Sequence, residues 1–510
     1  GPPVRFLHGQ RILEAGGNAF DAALGALCAA TVCEPLLTSL AGGGFLLARP
    51  AGSEPQLFDF FVQTPRHKRA EAELDFYPIV ADFGTAVQEF HVGWGSAAVP
   101  GVVAGLFEAH EALGVLPLGE VVAPAVALAR EGVEVTTYQA RLSRVLRPIL
   151  DVSKGAMGLV APAGPERHRP ARAGERAVHP EMADTLEALA REGRRWFYEG
   201  EPAQRLVEAC RTRGGQLTAG DLRDYPVCRR RPVHCRAFDA DFWFNAPPSP
   251  GGSLVAFSLA LLEPLGMEAA AWGEPESRLA VVRAMAAANR LRAVTQREAL
   301  DDALASEWLS DECLAEWRAH ALPDQCFTRG TTHLSVADEQ GNLASLTSSN
   351  GEGCGHVVPG TGVMLNNMLG EEDLNPDGFH RWQPDARLAS MMCPTIARLP
   401  DGSEVALGTG GANRIRGAVL QVLLNLCAFR MPIADAVTAP RMHLEGDTLS
   451  VETGLTPEAL ARLVANWPDN AQWPEPHLFF GGVHAAERLA DGSFRGAGDP
   501  RRDGVVALSE

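Results

Sequence analysis

Apolar positions along this chain recur with two different periods, and the change falls near residue 330. Residues 19–33 are alanine-rich and apolar almost all round, which predicts a buried helix. Gly16 and Gly17 would end the helix before it, and Asn18 or Asp21 would cap it. Ala41-Gly42-Gly43-Gly44 leads from a tight loop into a strand, and residues 54–61 suggest a second strand. From 99 to about 299 the pattern is mostly helical, with helices expected near 119–132, 180–194, 202–212 and 275–299. The turn Pro247-Pro248-Ser249-Pro250-Gly251-Gly252 launches a further apolar helix. Two polar, proline-containing segments interrupt this series, at 162–178 and 323–330. The second reads as a surface linker in which a chain break could be tolerated.

After 330 the period shortens to two. Residues 334–337 and 343–346 alternate around Gly341-Asn342, and 395–399 and 405–407 flank Asp401-Gly402; both patterns predict hairpins. A long apolar helix is expected at 415–430, and no internal repeat is visible. Helices, then strands, then strands, then helices fit an α+β fold, a four-layer αββα sandwich of two sheets covered by helices.

Composition narrows the function classes. The 510 residues are 46% hydrophobic and 21% charged, as in an ordinary globular protein, and carry a net charge of −18. That balance speaks against a nucleic-acid partner, which would want a basic face. No apolar run is long enough to span a bilayer, so no membrane association is expected. The ten cysteines lack CxxC pairs and zinc-like spacing, so no metal is implied. They read as reduced, buried thiols, which favours the cytoplasm. No secretory leader is visible ahead of the first helix pattern. The triple glycine at 42–44 is not followed by Gly-Lys-Ser/Thr, so a phosphate loop is not indicated, and no cofactor is expected.

The chemistry concentrates in Gly330-Thr331-Thr332-His333-Leu334-Ser335-Val336-Ala337-Asp338. A threonine with an ordinary backbone is a poor nucleophile. One whose own α-amine is free carries its base with it, because that amine titrates near neutrality. The bland alternative is a hydroxyl-rich strand edge. The run resembles the self-cleavage site of the γ-glutamyltransferase (γ-glutamyltranspeptidase) family of N-terminal-nucleophile (Ntn) hydrolases. That resemblance implies that the chain cuts its own Gly330–Thr331 bond. Residues 1–330 then form a large subunit and 331–510 a small one, intertwined in one structural unit, with Thr331 as nucleophile and base.

The resemblance extends from Gly16-Gly17-Asn18-Ala19-Phe20-Asp21-Ala22-Ala23 to Gly498-Asp499-Pro500-Arg501, by way of Leu365-Asn366-Asn367, Pro394-Thr395, Gly410-Gly411 and Ala439-Pro440-Arg441. Residue by residue, the resemblance implies that Ser349 takes the role of the hydroxyl that bonds the nucleophile. Asn350 would hold the substrate's amine or carboxylate, and Gly410 and Gly411 would form the oxyanion hole. Backbone N–H groups at a helix start suit that last role.

The donor pocket departs from the family pattern. Phe61 stands where the family's carboxylate-gripping arginine falls, and Met368 replaces a polar amine-binding group. Glu371 retains a carboxylate, and Ala389-Ser390 keeps one hydroxyl of a serine pair. A phenyl ring cannot give an arginine fork's bidentate recognition. The expected activity is therefore hydrolysis of an amide with a more apolar acyl group, or its transfer to an amine, through an acyl-Thr331 intermediate. A short segment between Glu371 and Arg387 leaves that intermediate open to water, which favours hydrolysis. Two alternatives stay open: a true γ-glutamyl enzyme acting on glutathione-like substrates that recruits Arg66, Arg381 or Arg387, and an unprocessed binding paralogue. His333 shares a strand face with Thr331, while Cys354 and Cys393 read as packed residues.

Overall fold

The computed structural model describes residues 4–82, 87–295, 300–318 and 331–508. The linker expected at 323–330, Gly330 within it, and the end of the helix expected at 275–299 lie outside the described residues. The first half of the chain supplies strands β1 (Gly43–Arg49), β2 (Gln56–Phe60), β3 (Cys228–Arg230), β4 (Val233–Ala237) and β5 (Ala240–Phe244). The second half supplies β6 (Thr332–Ala337), β7 (Leu343–Ser349), β8 (Thr395–Arg398), β9 (Glu404–Gly410), β10 (Gly482–Arg488) and β11 (Phe494–Ala497). Sheet A runs β6-β7-β1-β2-β3 and sheet B runs β11-β10-β9-β8-β5-β4. Neighbouring strands in both are antiparallel. Each sheet mixes strands from both halves, and the two largest cores draw on both.

Period-two alternation divides the side chains of β1 between two cores. Phe45 and Leu47 point between the sheets toward Phe242, Ile396 and Leu407, while Leu46 and Ala48 point outward to helices. Helices α1 (Ala19–Cys33) and α2 (Val102–Leu113) lie against sheet A, with α3 (Leu118–Glu131) packed on α1. Helices α4 (Pro250–Leu262) and α6 (Arg414–Cys427) lie on sheet B, with α5 (Pro275–Thr295) against α4. The result is the four-layer αββα sandwich. All of α1 is buried, as its apolar pattern predicts. Asn18 is its N-cap and Asp21 the reciprocal partner: Asn18 Oδ1 accepts from the Phe20 and Asp21 amides, and Asp21 Oδ2 from the Asn18 amide.

One expectation needs correction. The stretch read as mostly helical contains β3, β4 and β5 at 228–244. The β4–β5 hairpin turns through Phe238 and Asp239, both at positive φ, 54° and 58°. That is the backbone of a tight hairpin turn, made without the glycine that announces one. Elsewhere the strands run longer than expected: β7 reaches Ser349 and β9 reaches Gly410. No helix among the described residues is long and apolar enough to cross a membrane.

Candidate active site

Three chain segments converge at one end of the two sheets. Thr331 stands directly before β6, Ser349 closes β7, and Gly410 closes β9. The register sets Thr332 opposite Ser348, and Gly43 opposite Ser349. Side chains on the helix-facing side pin this register. The Thr332 hydroxyl donates to the buried Glu34 carboxylate at 2.8 Å, and the Ser348 and Thr38 hydroxyls share a bond of 2.7 Å. Strand alternation then turns Thr331 toward sheet B, where it is only 7% exposed.

There it meets the glycine pair. A Cβ added to Gly410 would fall on the Thr331 carbonyl oxygen, so only glycine lets β9 approach this closely. Gly411 has φ +132°, which side-chain-bearing residues rarely adopt, and α6 starts three residues later. The Ser349 hydroxyl accepts from the Gly351 amide at 3.0 Å.

A cleft of about 270 Å³ opens here. Thr331, Ser349, Phe61, Met368, Glu371 and Ser390 all line it, so residues spread over more than three hundred positions are brought together. Phe61 stacks on Phe45 with ring centroids 5.3 Å apart, and both rings are buried. Leu300, Leu374, Met391 and Ile415 extend the apolar wall. Phe61→Ala should lower the unfolding free energy by about 3–5 kcal/mol, as for other buried aromatic truncations. Urea denaturation followed by tryptophan fluorescence would measure it.

Asn350, like Gly410 and Gly411, is not among the residues that line the cleft. It is fully buried, and its Nδ2 donates to the Leu365 carbonyl at 3.4 Å. The neighbouring Asn366 and Asn367 are cross-braces. Asn366 bonds Ala41, Ala98 and Met368, while Asn367 bonds Glu352, Gly353 and His91.

Of the three arginines expected to stand in for a missing carboxylate grip, Arg66 pairs with Asp224 and Asp385 outside the cleft, and Arg381 does not line it. Arg387 does line it. Its Nη1 donates to the Phe61 carbonyl and the Tyr225 hydroxyl, and its Nη2 to the Pro226 carbonyl at 2.6 Å. Asp59 lies 3.7 Å from its Nε. Burial opposes this charge, but Tyr225 and Asp59 outweigh burial and keep the guanidinium protonated. The effect of Arg387 is to clamp the backbone that presents Phe61.

His333 is buried between the sheets against Gly408. Its Nδ1 and Nε2 bond the Thr347 and Ser335 hydroxyls at 2.8 and 2.9 Å, so both ring nitrogens serve packing. Burial pushes the Cys354 thiol up and the Cys393 thiol up to about 12, which disfavours the thiolate a nucleophile requires. Among the described residues no cluster of His, Cys, Asp or Glu could hold a metal ion. Two charged cleft residues gave no signal in the sequence: Arg292, one of several arginines on α5, and Asp373.

Residues 7–509 match the family model described as Gamma-glutamyltranspeptidase. The Acylase ACY 1 proenzyme of Pseudomonas sp. (strain V22) is 32% identical, covering 99% of this chain and 92% of that protein. The glutathione hydrolase proenzyme of Escherichia coli (strain K12) is 28% identical, covering 97% and 88%. Among solved structures, cephalosporin acylase from Bacillus halodurans superposes with a TM-score of 0.83 at 25% identity, covering 100% of this chain and 94% of that one. A match across nearly the whole sequence, joined to this sandwich, makes the chain a member of the γ-glutamyltranspeptidase family and an Ntn-type amide hydrolase/acyltransferase.

Proposed function

We propose that this protein processes itself at Gly330–Thr331 and then hydrolyses amides whose acyl group is apolar. In processing, the Thr331 hydroxyl attacks the Gly330 carbonyl, the acyl group shifts from nitrogen to oxygen, and water cleaves the ester. The products are a large subunit, 1–330, and a small one, 331–510, whose α-amine is newly free. The relatives described as proenzymes support this step.

In turnover, Thr331 Oγ bonds to the substrate carbonyl carbon while its proton passes to the α-amine. Ser349 orients the hydroxyl, and the Gly410 and Gly411 amides stabilise the oxyanion. The C–N bond breaks and the ammonium returns its proton to the leaving amine. Water then attacks the acyl ester, giving up a proton to the α-amine, and the acid departs as Thr331 Oγ recovers its proton.

The observation that carries the substrate assignment is the Phe61 and Met368 wall beside Thr331. Arg387 cannot replace the family's carboxylate grip while both its terminal nitrogens hold Phe61, Tyr225 and Pro226. The relatives named acylases favour the same reading. Losing a charged bidentate contact costs about 2–5 kcal/mol of binding. Octanoyl p-nitroanilide should therefore be hydrolysed with at least about 30-fold higher kcat/KM than γ-glutamyl p-nitroanilide. Equal or better turnover of the γ-glutamyl compound would overturn the assignment in favour of a true γ-glutamyl enzyme. An intact chain that turns over neither would favour a binding paralogue.

A further inference from the structure

On the proposed processing, the acyl wall and the nucleophile end on different subunits, Phe61 in 1–330 and Thr331 in 331–510. No peptide bond then fixes one against the other, and contacts that cross between the two pieces must do so. Arg387 supplies such contacts at the cleft itself. It belongs to the 331–510 half, and its side chain is 7% exposed although it reaches the cleft wall. Gln63 and Arg387 form an antiparallel bridge, with the Leu388 amide donating to the Val62 carbonyl at 3.2 Å and the Thr64 amide to the Ala386 carbonyl at 2.8 Å. The segment after Phe61 is thereby paired with the segment that leads into Ala389 and Ser390, which also line the cleft.

Both polar backbone groups of Phe61 are held. Its amide donates to Asp59 Oδ1 at 3.0 Å, and its carbonyl accepts from the Tyr225 hydroxyl at 2.6 Å and from Arg387 Nη1. Asp59 is fully buried and accepts from Arg230 Nε at 2.7 Å, so its carboxylate is fixed in turn. The Arg387 guanidinium lies over the Tyr225 ring, 4.9 Å from its centroid, and Nη1 also donates to the Tyr225 hydroxyl. Tyr225 stacks on Tyr198, whose hydroxyl donates to the Pro100 carbonyl at 2.8 Å. With amide and carbonyl both tied, the peptide planes on either side of Phe61 cannot turn, and the direction of its side chain is set.

Resting on the proposed hydrolysis of apolar amides, we propose that Arg387 and Tyr225 are positioning residues that set acyl-group selectivity by holding Phe61 at a fixed place in the cleft. An apolar wall selects among acyl chains only through close contact, because dispersion falls steeply with separation. A gap of about 0.5–1 Å forfeits about a quarter to a half of it. A wall free to move by that much still admits a long chain but recognises it poorly. An acetyl group has a single methyl beyond its carbonyl and gains little from the wall. The clamp therefore acts on the preference for the long chain over the short one.

The test is the ratio of kcat/KM for octanoyl p-nitroanilide to that for acetyl p-nitroanilide. Arg387→Gln should lower the ratio about tenfold or more, the scale on which an apolar pocket reads one methylene, mainly through KM of the octanoyl substrate. Arg387→Lys keeps the charge and should recover part of it. Tyr225→Phe removes one hydroxyl at nearly constant shape and should move the ratio the same way by a smaller factor. It also serves if circular dichroism shows that Arg387→Gln does not fold. In a Phe61→Leu background, Arg387→Gln should change the ratio by less than about twofold, because the clamp acts through Phe61. Equal falls for both anilides, an unchanged ratio, or a full effect in the Phe61→Leu background would overturn the assignment. Calorimetric titration with octanoate and with acetate reads the same preference without turnover. A wild-type protein that cleaves neither anilide yet binds octanoate more tightly, with that preference lost in Arg387→Gln, would remove the Thr331 chemistry and keep the clamp. One that prefers neither octanoyl over acetyl nor octanoate over acetate would overturn the apolar wall and the clamp with it.

Discussion

Thr331→Ala should leave a single uncut chain of 510 residues with amide hydrolysis reduced roughly 10⁴-fold or more, the range seen when a nucleophile is removed. Both losses share one cause. The same hydroxyl opens the Gly330–Thr331 bond and later accepts the acyl group, and alanine has no oxygen for either step. Thr331→Ser keeps the oxygen and should still be cut. Stability should change little, because the contact that pins the start of β6 comes from Thr332 to Glu34. Intact-mass measurement over several days, with N-terminal sequencing of any fragment, reads processing, and an anilide assay reads turnover. A Thr331→Ala chain that still divides ahead of residue 331 would remove the self-cleavage mechanism.

Gly410→Ala should reduce kcat by about 10²–10³-fold with a smaller effect on KM, the usual result of losing one oxyanion donor. The added methyl would fall on the Thr331 carbonyl oxygen, so the end of β9 or the start of β6 must move. A shift of even a few tenths of an ångström misdirects an amide that has to meet the oxyanion at hydrogen-bond distance. Self-cleavage should slow in parallel, since its first step forms an oxyanion on the Gly330 carbonyl. Time-resolved mass spectrometry during refolding would follow the cut, and steady-state kinetics on the processed fraction would follow the chemistry. Unchanged kcat would place the oxyanion donors elsewhere.

Much of the site was legible because its motifs are local. The alternation around Gly341-Asn342 identified β6 and β7, and the register Thr332 to Ser348 leaves Thr331 and Ser349 side by side at the open end. The glycine pair could be read because a close approach and a φ of +132° exclude other residues. The β4–β5 hairpin was not legible, because Phe238 and Asp239 adopt positive φ without glycine, held there by packing rather than by local preference.

By itself the sequence determined the period-two and helical segments that make an αββα sandwich, the candidate positions Thr331, Gly410 and Gly411, and the phenylalanine at position 61. Each is a property of a short stretch, set by side-chain volume, backbone freedom or the presence of a hydroxyl. Only the tertiary structure decided where the cations stand. Arg387 reaches the Phe61 carbonyl from 326 residues away, while Arg292 on α5 bonds Asn413 at the start of α6 and Arg416 on α6 bonds Asn289 on α5. No local rule contains such pairings, because an arginine's role depends on what burial brings within a few ångströms of it.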